Sequence, residues 1–196
     1  MKSDYDGSTL KMRKLIFAIN LTLDGCCDHT KLSGSDEVLA YHTQFLRDVD
    51  VFLYGRKTYE LMVPFWPEIA KSQSGQTRAM NEFAEAFTSV ENIIVFSRTL
   101  EPAAGGNTRI VRSGLQDEVL KLKVEPGRNI LTGGVSIPSQ LVELGLVDEF
   151  RFVVQPIVAG EGRRLFDALS LPEKLQLTLV ESKSLESGVV ALRYAK

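Results

Sequence analysis

The chain has 196 residues, 44% of them hydrophobic, with 23 Lys and Arg against 25 Asp and Glu for a formal charge of −2. That length supports one substantial domain with its own core, and a near-neutral balance without a basic run argues against a nucleic-acid surface. The apolar stretches are strand-length, too short for a membrane span, and Met1–Lys14 is polar rather than an apolar secretion signal, so a cytoplasmic protein is expected.

Residues 1–12 offer little to bury and read as a flexible extension, which leaves a single domain over 13–196. Lys14–Leu21 is a mostly buried first strand ending at the turn signal Asp24-Gly25. Val38, His42, Phe45, Leu46 and Val49 then fall at helical spacing before a second strand, Val51–Tyr54, which makes a βαβ unit. That strand runs directly into Gly55-Arg56-Lys57-Thr58-Tyr59-Glu60, the start of another helix. Met80, Phe83, Ala84 and Phe87 form a helical stripe ahead of the strand Ile93–Phe96. A short strand around Ile110-Val111 leads to Ser113-Gly114-Leu115-Gln116, a Ser-x-x-Gln capping box opening a helix with Leu115, Val119 and Leu122. The strand Ile130-Leu131 breaks on Gly133-Gly134, and the helix marked by Leu141 and Leu144 stops at Gly145. Phe150–Ile157, Leu175–Val180 and Val189–Tyr194 are strands with little helix between them, and Ser187-Gly188 suits a hairpin turn. The pattern is α/β, with a mixed sheet that is mainly parallel first and antiparallel at its C-terminal end.

In such a sheet ligands sit outside the carboxyl ends of the parallel strands, and three turns meet there: Gly55-Arg56-Lys57-Thr58, Ser97-Arg98-Thr99 and Gly133-Gly134-Val135-Ser136. Glycines let backbone approach a ligand closely, and the free N–H groups of a helix start attract an anion. Two helix starts suit a pyrophosphate, while a guanidinium and hydroxyls beside the neighbouring strand suit a 2′-phosphate on an adenosine ribose. That combination describes NADPH. No Gly-x-Gly-x-x-Gly follows the first strand and no nucleoside triphosphate loop is present.

Taken in order, Asp24-Gly25, Gly55-Arg56-Lys57-Thr58-Tyr59, Asn92–Arg98, Leu131-Thr132-Gly133-Gly134 and Val147-Asp148-Glu149-Phe150 resemble the dihydrofolate reductase superfamily. Pro156–Gly162 with Leu165-Phe166 is similar to its riboflavin-biosynthesis branch, the C-terminal reductase domain of the bifunctional deaminase-reductase. The resemblance implies a dihydrofolate reductase-like three-layer α/β/α fold, a homodimer, and reduction of a small heterocyclic substrate such as 5-amino-6-(5-phosphoribosylamino)uracil. It also implies cofactor roles for Gly55, Arg56, Thr58, Ser97 and Arg98 at the adenosine end, for Gly133, Gly134, Val135, Ser136 and Ile137 at the pyrophosphate, and for Asn20 near the nicotinamide. An acid on the first helix, Asp36 or Glu37, would support protonation. Asp24, Tyr59 and Trp66 are candidate substrate contacts.

The chain departs from the riboflavin reductases where they carry Asp-Pro, reading Tyr59–Trp66 instead, so a dihydrofolate reductase proper and a nucleotide-binding protein without reductase activity stand as alternatives. Cys26-Cys27-Asp28-His29 fits a four-ligand zinc site poorly, because its cysteines are adjacent and no second ligand pair is visible, so no metal is expected. Neither His29 nor His42 accompanies a Ser or Cys nucleophile motif, and His42 is expected at the edge of the core.

Overall fold

The first strand, β1 (Leu15–Thr22), has apolar side chains on both faces: Leu15 and Phe17 pack into one core cluster and Ile16 into another. A strand covered on both sides belongs inside a parallel sheet between two helix layers. The computed structural model describes residues 12–101, 106–167 and 169–196 and has that architecture; the proposed extension at residues 1–12 lies, but for Met12, outside them.

In chain order the remaining strands and α-helices are α1 (Asp36–Leu46), β2 (Val49–Gly55), α2 (Arg56–Met62), α3 (Phe65–Ser72), α4 (Arg78–Thr88), β3 (Asn92–Phe96), β4 (Thr108–Val111), α5 (Leu115–Val124), β5 (Asn129–Thr132), α6 (Ser136–Glu143), β6 (Glu149–Gln155), β7 (Thr178–Ser184) and β8 (Val190–Ala195). They form one eight-stranded sheet in the order β4-β3-β2-β5-β1-β6-β8-β7. Pairings from β4 through β6 are parallel, and β8 joins β6 and β7 antiparallel. On one face Phe45 and Leu46 of α1 and Phe83 and Phe87 of α4 pack on Ile16, Phe52 and Leu131. On the other, Val119 and Leu122 of α5 and Leu141 and Val142 of α6 pack on Phe17, Leu53 and Ile130. No helix among the described residues is long and apolar enough to cross a membrane.

Helix boundaries follow local chemistry. Ser35 caps α1 by accepting from the Val38 N–H, and Thr77 caps α4 by accepting from Met80. Gly145, at φ +66°, ends α6 with the Leu146 N–H donating back to the Leu141 carbonyl at 2.9 Å. Three readings from sequence need correction. Val49 is not on the first helix, because α1 ends at Leu46 and Val49 already opens β2. Ser113 does not cap α5: Gly114 occupies that place at φ +74°, without a side-chain bond. The penultimate strand is Thr178–Ser184 rather than Leu175–Val180, since Leu175 and Leu177 turn onto the core while β7 follows the register of β8 as an exposed edge.

One buried charge is tied to the sheet. Glu149, 2% exposed, accepts from Arg151 Nε at 2.7 Å and from an Arg193 terminal nitrogen at 3.1 Å, with Lys14 at 3.5 Å. Burial pushes its carboxyl up, but the guanidinium groups outweigh that and hold it below the usual glutamate range. Glu149→Ala should lower the unfolding free energy by roughly 3 kcal/mol, the scale of a broken buried ion pair, in urea denaturation at neutral pH. Because Glu149 binds its proton less readily folded than unfolded, its contribution is complete above the ordinary glutamate range and fades as pH falls through it. The gap between wild type and variant should therefore narrow in acid; a constant gap would assign the effect to packing.

Candidate active-site cleft

The parallel strands β3, β2, β5 and β1 are neighbours, so their carboxyl ends open on one rim. There β2 passes into α2 at Gly55, and β5 reaches α6 through Gly133-Gly134. A Cβ on Gly134, which sits at φ +82°, would overlap Thr58 Oγ1 of α2, and one on Gly55 would lie 3.1 Å from Ile137 Cγ1 of α6. A Cβ on Gly133 would be 3.4 Å from the Ala18 carbonyl of β1. The two helix starts thus close on each other, with no room for a side chain at Gly134 and little at Gly55. Neither start has a side-chain cap, so at Val135, Ser136 and Ile137 the fold leaves backbone donors for something other than the helix itself.

Around this junction the structure places Ser97 at the end of β3, where its hydroxyl accepts from the Thr99 and Leu100 N–H groups at 3.2 and 2.9 Å. Arg98 is exposed beside it, and its carbonyl is held by Arg112 at 2.7 Å. Arg56 is half-exposed and lies 3.3 Å from Glu60 one helical turn away. The rim is therefore cationic at its β2 and β3 corner.

β1 pairs with β5 through Phe17↔Thr132 and then outruns it, which carries Ala18 and Asn20 to the flank of the glycines. From there a cleft of about 610 Å³ runs between the sheet and helices α1 and α4, lined among others by Asn20, Thr58, Gly133, Gly134, Trp66 and Phe83. The Trp66 and Phe83 rings meet edge to face at 4.5 Å. Gln155 at the end of β6 makes two 2.9 Å bonds to the backbone of Ser33, fixing the loop before α1 at the cleft wall.

His42 of α1 donates from Nε2 to Asn20 Oδ1 at 2.9 Å, because an amide oxygen only accepts. Burial, with Arg151 adding to it, lowers His42 to about 4, so the imidazole in the cleft is neutral at physiological pH. Burial likewise pushes the Tyr54 phenol up. Asp36 lines the cleft and accepts from the Thr77 hydroxyl at 2.7 Å.

Several sequence candidates lie elsewhere. Glu37 points to the β7–β8 turn, where its two oxygens accept from the Glu186 and Ser187 N–H groups at 3.0 Å. The Ser187 side chain first, then these backbone bonds, lower its pKa. Asp24 lies off the cleft lining. Its carboxylate takes the Thr22 hydroxyl at 2.6 Å and the Ala159 and Gly160 N–H groups at 3.0 Å, and these donors, Thr22 first, lower it to about 2. Tyr59 packs on the α1–α4 side of the core rather than on the lining. The His42–Asn20 pair joins residues 22 positions apart; helical spacing placed His42 on α1, but only the tertiary fold shows its partner.

The family model described as RibD C-terminal domain matches residues 13–191. The uncharacterized protein YyaP of Bacillus subtilis is 33% identical over 192 residues, covering 95% of this chain and 97% of the relative. A putative riboflavin biosynthesis protein from Shewanella sp. PV-4 superposes with a TM-score of 0.69 at 18% identity, covering 93% of this chain and 98% of its own. The diaminohydroxyphosphoribosylaminopyrimidine deaminase/5-amino-6-(5-phosphoribosylamino)uracil reductase of Thermotoga maritima superposes with a TM-score of 0.63 at 16% identity, covering 94% of this chain and 57% of its own. These neighbours share the dihydrofolate reductase-like arrangement expected from the sequence.

The neutral state of His42 has a measurable consequence. Folding holds its pKa near 4 against an ordinary 6.5, so the unfolded chain binds more protons between those values; stability is complete above about 6.5 and is lost as pH falls toward 4. With two histidines in the chain, the His42 imidazole signal can be assigned by comparison with His42→Gln. It should remain neutral in an NMR titration down to roughly pH 5. A midpoint in the ordinary histidine range would contradict the buried, neutral pair.

Proposed function

Because the chain belongs to the RibD C-terminal domain family, we propose that it is a reductase carrying hydride from NADPH to a small heterocycle, on the pattern of 5-amino-6-(5-phosphoribosylamino)uracil reductase. The observation that carries this reading is the junction of α2 and α6: a Cβ at Gly134 would fill a cradle against Thr58, directly before the uncapped start of α6 and at the mouth of the cleft. A dinucleotide fits the chemistry of these residues. The N–H groups of Val135, Ser136 and Ile137 would hold the pyrophosphate. Arg56 and Arg98, with Thr58 and Ser97, would meet the 2′-phosphate, and Asn20, oriented by His42, would fix the nicotinamide amide.

When bound, NADPH supplies a hydride with its electron pair, and the acceptor completes its reduction with a proton drawn from solvent. The protein's share is positioning: it holds the acceptor against the donor carbon in a cleft walled by Trp66, Phe83 and Tyr54. Neutral His42 orients Asn20 and does not act as an acid at physiological pH. Of the two sequence-proposed acids only Asp36 lines the cleft, which supports it as the carboxyl that would relay that proton.

Two measurements test the proposal. NADPH oxidation followed separately with the aminopyrimidine, its phosphate-free form and dihydrofolate should show turnover with at least one; tight NADPH binding without turnover would favour a nucleotide-binding protein. Removing both arginines in Arg56→Ala/Arg98→Ala should weaken NADPH about a hundredfold, the worth of two charged hydrogen bonds, and leave NADH nearly unchanged. Equal loss of both cofactors would refute the adenosine-end placement.

A further inference from the structure

The charge on the walls narrows the acceptor. Lys and Arg number 23 in this chain, yet among the described residues none lines the cleft. The rim cations Arg56 and Arg98 lie off that lining, on the side taken up by the cofactor phosphates in the reading above. The guanidinium of Arg151, 4.6 Å from the Phe45 ring centroid, is already paired with Glu149 and likewise does not line the cleft. Of the two histidines that line it, His42 is neutral and committed through Nε2 to Asn20, and His29 is largely exposed with Nδ1 3.8 Å from the Asp28 carboxylate. The side-chain carboxylate in the wall, Asp36, would repel an anion.

A phosphate moved from water against the Trp66, Phe83 and Asn20 part of this wall would lose its hydration and meet no lysine or arginine. What the wall does offer is flat apolar surface from Trp66, Phe83, Phe45 and Tyr54, with the uncharged amide of Asn20 to orient a polar edge. We infer that the acceptor is an uncharged planar heterocycle, and that this chain discriminates against a phosphorylated aminopyrimidine. The inference rests on the reductase reading and narrows its substrate class.

Trp66 is the sole tryptophan of the chain and lines the cleft, so its fluorescence reports occupancy without turnover. The matched probes are 5-amino-6-(5-phosphoribosylamino)uracil and the same compound lacking its phosphate, titrated into full-length protein saturated with NADP⁺. The phosphate-free compound should quench Trp66 with a Kd at least tenfold lower. Equal or tighter binding of the phosphorylated compound, or quenching by neither, overturns the inference while leaving the reductase reading intact. Failure of NADP⁺ itself to bind would instead overturn the reductase reading, and the two probes would then be compared on the protein alone by the same criterion. Met80→Lys, which adds a cation to the lining, should tighten the phosphorylated probe at least tenfold and change the other little; a folded variant without that gain also counts against the inference. If Met80→Lys does not fold, the wild-type comparison decides.

Discussion

Everything proposed for this molecule depends on two helix starts approaching so closely that a side chain at Gly134 would overlap Thr58. Gly134 faces Thr58, and Gly55 faces Ile137. A methyl group at Gly134 would need to displace Thr58 and also adopt a φ of +82°, a conformation that L-residues with side chains rarely tolerate. Because β2 and β5 are hydrogen-bonded neighbours, with Leu53 opposite Thr132, the sheet itself brings α2 and α6 to that meeting point. The adjoining β1 extends past β5 and supplies Ala18 and Asn20, so the junction and the cleft floor share one origin in strand order.

That geometry also separates charge from apolar surface. Cationic side chains stand on the outer rim, whereas the inner wall is built from aromatic residues of the second core cluster and a neutral histidine–asparagine pair. Desolvation that keeps His42 uncharged is the same physical effect that makes the cleft hostile to an unpaired phosphate. Both effects arise at one place, the apolar interface between α1, α4 and the sheet.

Much of this arrangement was legible in the sequence because it is local. The run through Gly133-Gly134 marks a strand–helix corner, and the alternation of strand-length apolar runs with helical stripes implies a parallel sheet whose carboxyl ends converge. What escaped was set by contacts distant along the chain. Glu37 looks like a catalytic acid from its place on the first helix, but the β7–β8 turn, some 150 residues later, claims both of its oxygens. Asp24 serves its own turn and the Ala159-Gly160 loop in the same way. The Ser113 capping box failed because Gly114, in a left-handed conformation, starts α5 one residue later, a backbone choice that the motif does not encode.

The central claim is that the α2–α6 junction receives the cofactor and the apolar cleft receives its acceptor. A crystal structure with NADP⁺ tests it most directly. The account predicts the pyrophosphate on the N–H groups of Val135–Ile137, the 2′-phosphate between Arg56 and Arg98, and the nicotinamide beside Asn20. A dinucleotide bound elsewhere, or in the reverse direction with its adenine against Trp66, would contradict it.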